Sequence, residues 1–256
     1  MLETLQDIYA VVWVDLRFLS RNLGKTLALT LVAPILYLLA FGYGLGKGAS
    51  IEGFSYLDFV IPGILALTAM TTSFNTSGLK LHVDRLFFKC FDETLMAPVS
   101  AFSIIIGKAL IGVVRGLLSS AALLLACLVF SPLPSVSLLF PLSLVLTCFV
   151  FSFLGVVVAF LAKTHQDMTL FMSLVVLPMA FLSGTFFSLG QVPETLSIIL
   201  LLSPLTHACL CLRASILGQP FPWLSLFIFT VFGIVFFIFC FVALKIFFYP
   251  FCIIFK

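Results

Sequence analysis

Residues 80–101 read KLHVDRLFFKCFDETLMAPVSA and are the only long charged interruption in an otherwise apolar sequence. The stretch holds Lys80, Asp84, Arg85, Lys89, Asp92 and Glu93, six residues of a chain that has only 13 basic and 10 acidic side chains. Leu86, Phe87, Phe88, Phe91 and Leu95 are interleaved with these charges. That pattern predicts a short amphipathic helix lying at a membrane surface over residues 84–96. Something soluble can dock on such an element, with aromatic anchors giving affinity and charges giving orientation. Asp84, Arg85, Phe87, Phe88, Lys89, Phe91, Asp92 and Glu93 are therefore the candidate contacts to a partner protein.

The rest of the sequence says what that contact would be attached to. Hydrophobic residues make up 62% of the 256, charged residues 9%, and the mean hydropathy is +1.30. Soluble domains carry roughly 25% charged residues, so this class is excluded. A crossing needs roughly 20 apolar residues, which leaves space for about six helices, short connections and no separate soluble domain. The expected fold is all-α and polytopic, one transmembrane domain over residues 1–256. Any catalytic engine has to come from another chain. The N-terminal residues include Glu3, Asp7 and Asp15 and lack a basic segment followed by an apolar core, so they do not resemble a cleaved signal peptide. The seven cysteines, at 90, 127, 148, 209, 211, 240 and 252, have no zinc spacing and suggest no disulfide framework. Cys209 and Cys211 read as packing residues.

Along the chain, Leu2, Leu5, Tyr9, Val12, Trp13, Leu16 and Leu23 recur at helical spacing against Glu3, Gln6, Asp7, Arg17 and Arg21. Residues 1–25 thus predict an interfacial helix, anchored by Trp13, Arg17, Arg21 and Lys25. Spans follow at about 26–45, kinked at Pro34, then 56–78, 103–130, 138–162, 168–187 and 222–248, the last stopped by Tyr249-Pro250. The glycine-rich run 42–48, GYGLGKG, fails as a phosphate-binding loop, because Phe41 replaces its first glycine and Gly48 follows Lys47. It reads as close packing or a helix exit. Ser131-Pro132-Leu133-Pro134 is a turn, and Asp167 sits at the N-terminus of the fifth span. Residues 190–221 are apolar but broken by Pro193, Pro204, Gly218 and Pro220, which predicts a re-entrant hairpin. Gly184, Pro193 and Pro204 are its candidate gate positions.

Orientation follows from the basic residues. With the N-terminus inside, Arg17, Arg21, Lys25, Lys80, Arg85, Lys89, Lys163, Lys245 and Lys256 are cytoplasmic, and the outer segments carry Lys47 and Arg213. Both termini and the charged stretch are then expected in the cytoplasm, and the hairpin enters from outside.

The order of elements and four local stretches resemble the membrane subunits of ABC-2 type exporters, in the branch that includes permeases for lipo-oligosaccharide nodulation factors, polysaccharides and drugs. The stretches are LYLLAFGYGLG (36–46), YLDFVIPGI (56–64), TLMAPVSAFSIIIGK (94–108) and FLSGTFFSLGQVPETLSIILLLSPLTHACLCLR (181–213). The resemblance implies an N-terminal amphipathic helix, a cytoplasmic coupling helix between spans two and three, and an outer re-entrant pair before span six. It also implies a dimer of permease subunits in the bacterial inner membrane. ATP and Mg would be bound by a separate nucleotide-binding subunit, with no cofactor on this chain and no nucleic-acid partner. The cargo expected from so few fixed charges is amphiphilic: a lipid-linked glycan, a lipo-oligosaccharide or a hydrophobic drug.

Arg115, in Gly112-Val113-Val114-Arg115-Gly116, is the charge set deepest in an apolar span. It either meets an anionic substrate group in the pathway or snorkels to the interface. Gly112 and Gly116 suit a helix contact, within the chain or across a dimer seam. His82, His165 and His207 fall in different connections and assemble no metal site or triad. Two rivals compete with the exporter. An ion-coupled secondary transporter normally uses intramembrane acids, yet none lies between Glu93 and Asp167 or after Glu194. A membrane enzyme acting on lipid headgroups has only His82 with Asp84 as a local candidate.

Overall fold

The computed structural model describes residues 2–45, 50–51, 53–97, 99–130, 137–188, 190 and 192–254. The 46–48 part of the glycine loop and the 131–134 turn lie outside them. Twelve α-helices are described: α1 Leu2–Arg21, α2 Leu23–Tyr37, α3 Tyr56–Phe74, α4 Lys80–Leu86, α5 Cys90–Met96, α6 Ala101–Phe130, α7 Leu139–Leu161, α8 His165–Phe171, α9 Leu177–Leu182, α10 Glu194–Leu201, α11 Pro204–Leu217 and α12 Trp223–Ile254. The described β-structure is a two-residue ladder, Ser50–Ile51 antiparallel to Phe54–Ser55. Among the described residues, six helices are long and apolar enough to cross a membrane: Leu23–Phe41, Tyr56–Leu86, Ala101–Leu128, Leu139–Leu161, His165–Leu182 and Trp223–Ile246. The fold is all-α and polytopic, as the composition requires.

Three boundaries differ from expectation. The second span does not stop at residue 78; a π-helical turn, Asn75–Leu79, joins α3 to α4 in one helix through Leu86. Lys80, Asp84 and Arg85 thus belong to a span rather than to a surface helix. The fifth span ends at Leu182, because Gly184 takes a left-handed φ of 71° and residues 183–187 bend away. The last helix continues past Pro250 to Ile254, since a proline in a final turn deletes only one helical bond. At Pro34 the helix is not broken either: α2 runs through it and widens into π-helical turns over Leu38–Leu45.

The centre is the crossing of α3, α6 and α7, made close by small residues. A Cβ on Gly78 would lie 2.9 Å from the backbone of Gly155, and one on Gly155 would lie 2.8 Å from the Phe74 carbonyl oxygen. Gly112 packs on the Ser73 carbonyl and Ser152, and Gly116 on Ser73 and Cys148. The GxxxG pair is therefore used within the chain, holding α6 against both α3 and α7. Ile61, Ile64, Leu65, Met70, Phe74, Phe151 and Leu212 fill the surrounding core.

Helix α1 lies along α6, with Val12, Asp15 and Leu19 turned inward and Leu5, Tyr9, Trp13 and Phe18 exposed. Gly107 permits this: its Cβ would come within 2.7 Å of Val11. At the Tyr56 end of α3, α10 and α11 form the expected hairpin. Almost all of α11 is buried, which protects its backbone as the re-entrant reading demands, whereas α10 is largely exposed. Arg213 locks α11 in place, donating from Nη2 to the Gly184 carbonyl at 2.9 Å and covering the Phe59 ring 3.7 Å from its centroid.

Candidate functional site

A cavity of about 1120 Å³ opens between α1, α2, the α3–α4 helix, α6 and α9. On the α3–α4 helix its wall follows positions 68, 71, 72, 75, 76, 79, 80, 83 and 84, the three-and-four spacing of one helical face. That face carries Thr68, Thr71, Thr72, Asn75 and Thr76 in the deeper part and Lys80 with Asp84 at the Leu86 end. The threonines cost little to keep there, because Thr68 Oγ1 donates to the Ile64 carbonyl and Thr71 Oγ1 to the Leu67 carbonyl. Leu29, Ala33, Pro34 and Tyr37 of α2 form a second wall, and Val176, Leu177, Ala180 and Phe181 a third. Arg115 comes in from α6.

The rim at the Leu86 end is ionic. Lys80 Nζ donates to Asp15 Oδ1, and Lys108 Nζ reaches Asp15 Oδ2 at 3.5 Å and Asp84 Oδ2 at 3.4 Å. Two acids and two lysines thus tie α1, α4 and α6 together at the mouth, and each charge is compensated. Arg115 differs. It is half-buried, its Nε is buried without a hydrogen-bond partner, and among the described residues no carboxylate pairs with it.

Just beyond the rim the chain breaks. Lys89 adopts a left-handed φ of 56° between α4 and α5, so the single helix expected over 84–96 is two helices with an exposed turn between them. Phe87 and Phe88 are exposed on this turn, at 65% and 69%, and Lys89 and Glu93 are exposed too. The other aromatic and basic candidates point inward. Phe91 is buried against Phe160, with ring centroids 5.6 Å apart. Arg85 is buried and donates from Nη1 to the carbonyls of Ala159 and Phe160, and from Nη2 to that of Ala162. These are the open carbonyls at the end of α7, which a cation satisfies well. Asp84 belongs to the rim, and the Asp92 side chain lies outside the described residues. Seven of the eight candidates therefore separate into an exposed set, Phe87, Phe88, Lys89 and Glu93, and an inward set, Asp84, Arg85 and Phe91.

At the opposite end, Gly184 is buried at the bend after α9, Pro204 is buried at the first turn of α11, and Pro193 is exposed before α10. His82 and His165, placed in separate connections by sequence, lie with ring centroids 6.2 Å apart. No group of three His, Cys, Asp or Glu among the described residues is arranged to hold a metal ion. Two features escaped the sequence reading although their signals were present. Asp15 interrupts the apolar side of α1, and Lys108 and Arg115 are seven residues apart, on one face of α6.

A polytopic helical protein with a wide cavity lined mainly by apolar side chains has the character of a membrane permease. Comparison with known families identifies which: an ABC-2 type transporter model matches residues 6–217, and the chain belongs to that family. It is 31% identical over 219 residues to the inner membrane transport permease YadH of Escherichia coli (strain K12), covering 82% of this chain and 85% of that one. It is also 30% identical over 199 residues to nodulation protein J of Neorhizobium galegae, covering 77% and 76% of the two chains. Nodulation protein J of Rhizobium meliloti (strain 1021) is 28% identical over 200 residues, with the same coverage of 77% and 76%.

Proposed function

We propose that this permease is the membrane half of an ATP-driven exporter of the bacterial inner membrane, moving an amphiphilic substrate such as a lipid-linked glycan, a lipo-oligosaccharide or a hydrophobic drug. A separate ATPase subunit docks on the turn at Phe87 and Phe88, from the cytoplasmic side, and both termini are cytoplasmic. Two copies assemble side by side, bringing together the exposed apolar flanks of α2 (Leu29, Val32, Leu36) and of α8–α9 (Leu170, Leu177, Phe181) that border the cavity. The hairpin of α10 and α11 closes the outer end.

One observation carries this reading. The helix that forms the polar wall of the cavity, Tyr56–Leu86, is the same helix that ends at the exposed Phe87-Phe88 turn. A displacement applied to that turn acts on a rigid rod about 46 Å long, and no flexible linker intervenes between docking surface and cavity wall. An ion-coupled transporter would need no such exposed lever. The decisive experiment inactivates the ATPase subunit while a proton gradient is maintained. Export should stop; export that continues on the gradient alone would identify a secondary transporter.

A further inference from the structure

The cavity contains one charge too many. Its lining includes the cations Lys80 and Arg115 and the acids Asp15 and Asp84, and Lys108 reaches both acids from behind the lining. Both acids are engaged by the two lysines at the rim, which leaves the Arg115 guanidinium uncompensated deeper inside. An arginine half-buried in a membrane span without a counter-charge is costly, and such groups mark the path of a ligand of opposite sign.

The surroundings define the ligand further. Arg115 lies between Gly112 and Gly116, both of which pack on Ser73, so it enters the cavity at the level of the Thr72, Asn75 and Thr76 face. The Arg115 Nε, a donor, is buried without a hydrogen-bond partner. A guanidinium fork beside hydroxyl and amide groups suits a tetrahedral or planar anion, which it can hold by two parallel N–H bonds. The remaining walls are apolar: Leu29, Ala33, Val176, Leu177 and Phe181. They suit a hydrocarbon chain and not a second charged group. Lys108 of the rim lies seven residues before Arg115 on the same helix face, about 10 Å away along the helix, so an anion entering past the two lysines meets a further cation two turns deeper.

We propose that Arg115 is the headgroup site for an anionic amphiphile, in which a phosphate, sulfate or carboxylate sits between Arg115 and the Thr72–Thr76 face while an alkyl chain lies on the α2 and α9 walls. This rests on the cavity being the export pathway and narrows the cargo to one charge class. The bilayer's own anionic lipids share this headgroup chemistry.

The test uses the full chain in a neutral maltoside detergent and a photoreactive dodecyl phosphate, with a photoreactive dodecanol and a dodecyl trimethylammonium of equal length as comparisons. Labelled positions are mapped by mass spectrometry. Dodecyl phosphate should label the lining of the cavity about tenfold more efficiently than dodecanol, and Arg115→Gln should abolish that preference while Arg115→Lys keeps most of it, because positive charge is what the anion needs. Identical size-exclusion profiles for the variants exclude misfolding as the cause. Displacement of the probe by phosphatidylglycerol assigns the headgroup chemistry to a bilayer lipid, and resistance to it assigns that chemistry to a transported amphiphile. If dodecanol and dodecyl phosphate label the cavity equally, or Arg115→Gln keeps the preference, the anionic site is overturned and the pathway reading survives. If neither amphiphile labels the cavity, the pathway reading itself falls.

Discussion

Arg85 donates from Nη1 to the carbonyl oxygen of Ala159 at 2.7 Å, joining the last turn of one membrane span to the last turn of another. The same guanidinium also serves Phe160 and Ala162, so a single side chain satisfies the carbonyls that α7 leaves open where it ends. Charge-assisted bonds of this kind contribute more than neutral ones, and the carbonyls have no ready substitute when it is removed. Arg85→Gln should lower stability by about 2–3 kcal/mol, read as an earlier thermal unfolding midpoint in detergent, and Arg85→Lys should recover part of the loss. Unfolding of Arg85→Gln indistinguishable from the parent would show that the cap is dispensable.

A second prediction concerns the contact of Gly78 with Gly155. Their backbones approach so closely that a Cβ on either residue would stand 2.9 Å or less from main-chain atoms of the neighbouring helix. Backbone cannot move aside as a flexible side chain can, so Gly155→Val must push α7 off α3. A loss of about 3 kcal/mol is expected, together with poor membrane accumulation. Gly24, where a Cβ would meet no atom within 4 Å, provides the control: Gly24→Ala should leave accumulation unchanged.

His207 gives a prediction about acidity at the hairpin, outside the six spans. Its Nε2 donates to the Leu201 carbonyl at 2.9 Å, and its Nδ1 is buried without a partner. Burial pushes its pKa below the usual 6.5, and the bond to Leu201 offsets this only in part. Because the folded state takes up the proton less readily than the unfolded chain, stability is complete above the unfolded value and declines as pH falls through the folded one. Protease resistance of the 190–221 segment should drop between about pH 7.5 and pH 5, and His207→Asn should flatten that dependence. A parent protein equally resistant at both ends of the range would remove His207 as the cause.

Such side chains also mark how far the sequence alone could lead. The spans, the amphipathic α1 and the hairpin were legible, because hydropathy and proline spacing act over a single local stretch. The helix break at Lys89 was not, since its left-handed turn is carried by a lysine rather than by the glycine or asparagine that would signal it. Nor could the pattern assign Arg85 and Phe91 to the interior: an amphipathic helix shows which residues share a face, not whether lipid, water or protein meets it. The ionic rim joins Asp15 to Lys80 across 65 positions, and no local pattern records a pairing of that range. Arg115 was singled out from its depth in an apolar span; that it is left without a counter-charge emerged only with the positions of the two lysines.

The last prediction concerns the exposed turn. Phe87 and Phe88 are two large aromatic side chains facing outward at the end of the cavity-forming helix, with exposed Lys89 and Glu93 beside them. If this surface merely rests on lipid, reversing charge at Asp92 and Glu93 should change little, or should strengthen attraction to anionic headgroups. If it docks an ATPase, reversal removes the orienting charges and should weaken the complex. Asp92→Lys with Glu93→Lys should leave the protein inserted and assembled yet reduce co-purification of the ATPase by about tenfold, and Phe87→Ala with Phe88→Ala should do the same by removing anchors. Phe91→Ala is the internal contrast, because that ring is buried against Phe160 and its loss should show first as reduced thermal stability. Full ATPase binding and export in both double variants would defeat the docking assignment, and a stability loss in Phe87→Ala with Phe88→Ala equal to that of Phe91→Ala would show that Phe87 and Phe88 serve the fold instead.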